Sequence, residues 1–105
     1  MTQIIVRVLG SKTIDQKSFQ FTMTWPANSP LPGLGEDISF TTEDIRGFGF
    51  TITRIDNQFL VDETESKKIF LTERRYSMLF DKDIHACLER HPLVTEFHLG
   101  DDWWI

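Results

Sequence analysis

Two segments of the chain alternate between apolar and polar residues at every position. In Phe19–Trp25 every odd-numbered residue is apolar and every even-numbered residue is Gln or Thr, and 48–53 places Phe48, Phe50 and Ile52 opposite Gly and Thr. A period of two is typical of a β-strand, because successive side chains point to opposite faces. An apolar face opposite a threonine-rich face predicts a sheet with one buried and one solvated side, which is common in antiparallel sheets.

Further strand-like runs and one helical run complete the predicted elements. Strands are predicted over 3–9, Phe19–Trp25, Asp37–Thr41, 48–55, 58–61, 68–73 and 93–99. Asp56-Asn57 predicts a two-residue turn between the fourth and fifth of these strands. Apolar residues then recur every three or four positions, at Phe80, Ile84 and Leu88, which predicts a helix over about 80–91. We expect Asp81 to be its N-cap and Pro92 to end it.

These elements predict a single α+β domain that spans 1–105. A curled antiparallel sheet of about six to seven strands is covered by the helix, or it forms a partly open small barrel that the helix plugs. Either arrangement buries the phenylalanines of the two alternating segments in one core with Leu79, Phe80, Ile84 and Leu88. The glycines at 47 and 49 predict a bulge that bends the sheet around the helix.

The first predicted strand lacks the features that protect a sheet edge. Residues 3–9 carry Arg7 as their only charge and contain no proline. Unpaired edges accept strands from other chains. We therefore expect this strand to be an edge, and a homodimer or a partner strand added there.

Charge and cysteine content narrow the class of protein. The net charge is −5, with −7 carried by residues 36–105, and the chain has one cysteine. An acidic domain is a poor nucleic-acid binder, because duplex binding depends on neutralised phosphates, but it suits a basic protein surface. One cysteine excludes an internal disulfide, and no apolar run is long enough to cross a membrane. We expect a cytoplasmic protein of bacterial or phage-like type.

One stripe of the predicted helix carries residues with chemical potential. Asp83, Cys87 and His91 lie at i, i+4 and i+8, a spacing that suits a metal half-site or a Cys–His nucleophile pair. Ile84 and Leu88 flank the stripe, however, and a reactive cysteine usually lies at a helix N-terminus. We therefore interpret Cys87 as a small core residue. The chain also lacks a serine nucleophile motif and a phosphate-binding loop, so we predict no catalytic site, no metal and no cofactor.

Two polar-aromatic clusters are the candidates for contact with a partner. The first is Arg74-Arg75-Tyr76, which can bind a phosphate, a carboxylate or a base, although surface ion pairing with the many nearby acids is the favoured explanation. The second is the tail, where tryptophans follow two acids. Its candidate residues are Asp101, Asp102, Trp103 and Trp104. Exposed tryptophan is enriched in binding hot spots, while the alternative is that both indoles close one end of the core.

The sequence therefore favours a small non-enzymatic intracellular protein that binds and modulates a protein partner, as inhibitors, immunity proteins and accessory proteins do. The alternative is a β-barrel module that binds a small ligand or single-stranded nucleic acid through Phe and Arg stacking surfaces. An enzyme is the least favoured class.

Overall fold

The structure is a computed structural model that describes residues 2–10, 16–41, 47–59, 61–62, 64, 66–75, 77 and 79–100. Within these residues the chain forms six strands and one helix. The strands are β1 (Thr2–Leu9), β2 (Phe19–Trp25), β3 (Asp37–Thr41), β4 (Gly47–Phe59), β5 (Ser66–Arg74) and β6 (Val94–Leu99), and the helix is α1 (Asp81–Arg90).

The six strands form one sheet in the order β3-β4-β5-β1-β2-β6. The predicted α+β fold with a curled sheet and one helix is confirmed. Most neighbouring strands are antiparallel, but β1 and β5 run parallel, with Val6 opposite Phe70. The sheet is therefore mixed rather than purely antiparallel.

The sheet curls so strongly that distant strands touch through their side chains. In a flat sheet β2 and β3 would lie about 19 Å apart, at about 4.8 Å per strand step. The ring centroids of Phe21 on β2 and Phe40 on β3 are instead only 6.2 Å apart. A bulge at Thr53, between Ile52 and Arg54, contributes to this bend because bulges increase local twist.

The curled sheet forms a half-barrel, and helix α1 packs against its concave face. Ile84 and Leu88 are buried, His85 contacts Phe97 of β6, and His91 contacts Phe40 of β3. The helix therefore lies between the two edge strands. The predicted core is confirmed except at Phe80, and its buried members include Phe19, Phe21, Phe48, Phe50, Leu79, Ile84 and Leu88.

The structure corrects several details of the predicted elements. The strand at 3–9 is not an edge, because β1 pairs with β2 on one side and β5 on the other. Asp56-Asn57 is not a turn, since β4 continues to Phe59 and the two predicted strands are one. Asp and Asn tolerate turn geometry, but here they pair with Ile69 and Lys68 of β5, and this pairing keeps the backbone extended.

Three further predictions near the helix and the glycines are also wrong. Phe80 is 73% exposed rather than buried, because it precedes the first helical turn. Asp81 is the first helical residue, and its carboxylate pairs with Arg74 instead of capping the helix. Gly49 allows close approach of β3, since an added Cβ would lie 2.9 Å from Ser39 Oγ, while the bulge lies at Thr53.

Candidate functional site: the Arg74 cleft

A cleft of about 240 Å³ lies where the end of β5, the start of β4 and the first turn of α1 meet. We call it the Arg74 cleft. Apolar side chains from the core form part of its wall, and an arginine–aspartate pair forms its polar part. It is lined by Gln16, Phe48, Gly49, Phe50, Arg74, Arg75, Ser77, Leu79, Asp81 and Ile84.

Arg74 is the best-anchored charged residue of the cleft. Its side chain is only 11% exposed, and one terminal guanidinium nitrogen pairs with the carboxylate of Asp81. The other terminal nitrogen donates to the carbonyl of Lys17 at 2.7 Å. The guanidinium carbon lies 5.0 Å from the centroid of the Phe19 ring, which adds a cation–π attraction. These contacts hold the guanidinium plane in one orientation.

Arg75 points the other way, as expected for the next residue along an extended chain. Its backbone N–H donates to the carbonyl of Gly49 at 2.9 Å, which extends the β4–β5 ladder by one bond. Its side chain is 54% exposed and forms an ion pair with Asp37 at 2.9 Å. Arg75 therefore forms a solvent-facing rim, whereas Arg74 forms the interior of the cleft.

Ser77 fixes the short connection from β5 to α1. Its hydroxyl donates to the carbonyl of Gly47 at 2.9 Å and accepts from the N–H of Leu79 at 3.1 Å. These bonds bring Leu79 into the core, where it is 8% exposed. Phe80 lies in the chain between the lining residues Leu79 and Asp81, but it does not itself line the cleft, and its side chain is 73% exposed.

His85 lies behind Arg74 and shares its aromatic neighbour. The imidazole centroid is 4.9 Å from that of Phe19 and 5.4 Å from that of Phe97. Burial lowers the pKa of His85, and the nearby Arg74 charge lowers it further, while Asp81 and Glu89 act in the opposite direction. A neutral imidazole is therefore favoured in the folded protein.

Two buried side-chain nitrogens, Arg74 Nε and His85 Nε2, have no hydrogen-bond partner among the described residues. Such groups are uncommon in folded proteins, because an unpaired buried donor or acceptor costs about 1–3 kcal/mol. Both belong to side chains that pack on Phe19. Both nitrogens are buried, and of the two side chains only Arg74 lines the cleft, so this unused hydrogen-bonding capacity lies beside Phe19 rather than in the open part of the cleft.

Of the partner-contact residues predicted from the sequence, Arg74 and Arg75 line this cleft. Tyr76, Asp101, Asp102, Trp103 and Trp104 lie outside the described residues. The sequence did not indicate that Asp81 lines this cleft or that Phe80, the residue before it, is exposed. The helical spacing assigned Phe80 to the core, although its position just before the helix start was the signal that it can point outward.

The helix stripe considered for metal or nucleophile chemistry does not gather further ligands. No group of three or more His, Cys, Asp or Glu side chains suited to a metal ion occurs among the described residues. Cys87 is half-buried and packs against the core. Within the same residues, no helix is long and apolar enough to span a membrane.

No family model, curated protein or solved structure matches this chain.

Proposed function

We propose that this chain is a non-enzymatic cytoplasmic domain that binds and modulates a protein partner, with the Arg74 cleft and its rim as the contact site. The observation that carries the proposal is a cleft whose interior holds a fixed arginine, next to a chain position, Phe80, whose ring is 73% exposed and adjoins the lining residues Leu79 and Asp81 in sequence. Aromatic and arginine side chains dominate binding hot spots, particularly where a pocket receives an anchor from the partner.

The size and charge of the cleft favour a partner's side chain over a free small ligand. Its volume of about 240 Å³ lies below the range of about 300–1,000 Å³ that is usual for small-molecule sites. Both arginines already pair with carboxylates, Arg74 with Asp81 and Arg75 with Asp37. A free anion would have to displace one of these carboxylates, whereas an apolar or hydrogen-bonding side chain enters without competing with them.

The charge of the chain indicates what kind of partner to expect. The net charge is −5, which speeds encounter with a basic protein surface. This matches the inhibitor, immunity or accessory roles in which a small acidic protein covers a basic functional surface. The tail residues Asp101, Asp102, Trp103 and Trp104, together with Tyr76, belong to the same proposal as a second part of the contact surface.

The alternative is a module that binds a small ligand or single-stranded nucleic acid. It needs accessible aromatic faces on which a ligand or bases stack. Phe19, Phe21, Phe50 and Phe70 are each at most 1% exposed, so their faces are occupied by the core. The exposed rings of Phe59 and Phe80 lie on separate elements, at the end of β4 and just before α1. The burial of the other rings, together with the net negative charge, weighs against the alternative.

The proposal is tested by affinity capture from cells that naturally make the protein, followed by mass spectrometry. Three baits are compared: the unaltered protein, Phe80→Ala and Phe59→Ala. The last is the matched control, because Phe59 is also an exposed phenylalanine, at 60%, but lies at the far end of β4. Circular dichroism melts verify that all three baits are folded.

We expect a specific protein to be retained by the unaltered protein and by Phe59→Ala, and its recovery to fall at least tenfold with Phe80→Ala. Equal recovery with all three baits contradicts the assignment of the site. Native mass spectrometry of the unaltered protein provides the second readout. A bound small molecule of constant mass, with no protein captured, favours the ligand-binding alternative.

A further inference from the structure

Among the described residues, the second half of β4 has no strand on the side away from β5. Strand β3 pairs with β4 only across Gly47–Thr51, and the connector before β3 then bonds to Ile52, with Gly35 N donating to Ile52 O and Ile52 N to Glu36 O, both at 2.9 Å. From Arg54 to Phe59, the described part of the chain pairs with β4 on the β5 side alone. Asn57, Gln58 and Phe59 are all exposed.

The direction of the backbone groups along this edge follows from the ladder. Gly49 accepts a hydrogen bond on the β5 side, and Ile52 bonds on the opposite side. The side to which a residue's N–H and C=O groups point alternates along a strand, and the one extra residue in the bulge at Thr53 shifts this alternation by one position. Ile55, Asn57 and Phe59 therefore direct their N–H and C=O groups outward, away from β5.

We propose that a second copy of this chain pairs with residues 55–59 of β4 in an antiparallel, two-fold symmetric manner centred on Asn57, so that two sheets join into one. This contact is separate from the Arg74 cleft, and it does not depend on the proposed function.

The side chains of this segment are complementary to themselves in that register. Ile55 lies opposite the second copy's Phe59, so two apolar pairs form and the exposed Phe59 ring is covered. Asp56 lies opposite the second copy's Gln58, whose amide can donate to the carboxylate. Asn57 faces its own counterpart, and two amides can donate to and accept from each other.

The registers centred on the neighbouring residues are disfavoured. In an antiparallel pair, directly opposed residues lie on the same face of the sheet. The alternative symmetric registers are therefore those in which the two-fold axis passes through a different residue of β4. A centre at Gln58 places polar Asn57 opposite the second copy's Phe59. It also leaves Ile55 opposite residue 61, beyond the end of β4. A centre at Asp56 places two carboxylates directly opposite each other, which is destabilising. A centre at Ile55 brings the second copy's Phe59 opposite Thr51, whose edge is already paired with Asp37.

Cysteine cross-linking reads both the contact and the register. Cys87 is the only cysteine, so Cys87→Ala gives a background without thiols. Asn57→Cys is introduced there, because directly opposed residues of an outward-facing pair have Cα atoms about 5.5 Å apart, within the range for a disulfide. Asp56→Cys is the matched control, since its counterparts are two residues out of register, at about 8 Å.

We expect mild oxidation to convert most of the Asn57→Cys protein to a covalent dimer, at least tenfold faster than the Asp56→Cys protein. Sedimentation of the unaltered chain should show a dimer at high concentration. Asn57→Pro should restore the monomer without unfolding, because the outward N–H that it removes takes no part in the β5 ladder. A monomer at all concentrations, a dimer that survives Asn57→Pro, or preferential cross-linking of Asp56→Cys each overturns the proposal.

Discussion

Replacement of Phe50 by alanine is the most direct test of the core. Phe50 is 1% exposed, and its ring centroid lies 5.8–6.5 Å from those of Phe19, Phe21, Phe40 and Phe48. Emptying a buried phenylalanine site costs about 3–5 kcal/mol. We expect the upper half of that range, because β4 is pinned between β3 and β5 at this position and the cavity cannot close.

The assay is urea denaturation followed by circular dichroism. Against a total stability of about 5–15 kcal/mol, a loss of about 4 kcal/mol leaves a folded but weakened protein. With a denaturant dependence of about 1–3 kcal/mol per molar urea, the midpoint should fall by about 1–4 M. Leu34→Ala is the control, because Leu34 is 66% exposed in the connector before β3 and should contribute less than about 0.5 kcal/mol. A loss below about 1 kcal/mol for Phe50→Ala would refute the assignment of this ring to the core.

Three other predictions concern single residues. Burial lowers the pKa of His85 in the folded state, so as the pH falls the unfolded chain binds a proton before the folded chain does, and the free energy of unfolding decreases below about pH 6.5. His85→Gln should therefore flatten the pH dependence of the urea midpoint between about pH 7 and 5. An unchanged slope contradicts this prediction. Gly49→Ala should cost about 1–3 kcal/mol, because its Cβ would lie 2.9 Å from Ser39 Oγ and 3.2 Å from the backbone carbonyl oxygen of Ile38, which the strand pairing holds in place. Gly33→Ala meets only the end of the Glu36 side chain, and equal melting temperatures for the two variants would contradict the close approach. Cys87 should react slowly with a thiol reagent at neutral pH, and labelling as fast as that of the urea-unfolded protein would revive its candidacy as a nucleophile.

The strands with one apolar and one polar face could be predicted from the sequence. Phe19–Trp25 and the first half of β4 alternate between apolar and polar residues, and the structure places each of them with one face in the core. The helix was predictable for the same reason, since Ile84 and Leu88 share one side of it and are buried. Local periodicity was sufficient in these cases because burial of one face decides the conformation.

The order of the strands could not be predicted in the same way. Nothing in the spacing of residues 3–9 indicates that β1 lies in the middle of the sheet, because its parallel partner β5 is distant in the chain. The turn predicted at Asp56-Asn57 was likewise wrong, because these residues pair with β5, and this pairing exists only once β4 and β5 have folded together. The Arg74 cleft is built from β4, β5 and α1, so the arginines were visible in the sequence but Asp81 and Phe80 as their neighbours were not.

The parallel pairing of β1 with β5 has a consequence for how the chain reaches its fold. The bond from Thr72 Oγ1 to the carbonyl of Arg7 joins residues 65 positions apart. During synthesis β1 and β2 are made early and can form their hairpin at once, but one side of β1 stays unpaired until β5 has been made. Closing so long a loop is slow compared with forming a hairpin, so joining the β1-β2-β6 group of strands to the β3-β4-β5 meander should limit the folding rate. In a nascent chain that pauses before β5, one edge of β1 is unpaired and can bind a strand of another chain. Binding of a chaperone at this stage would prevent the most aggregation.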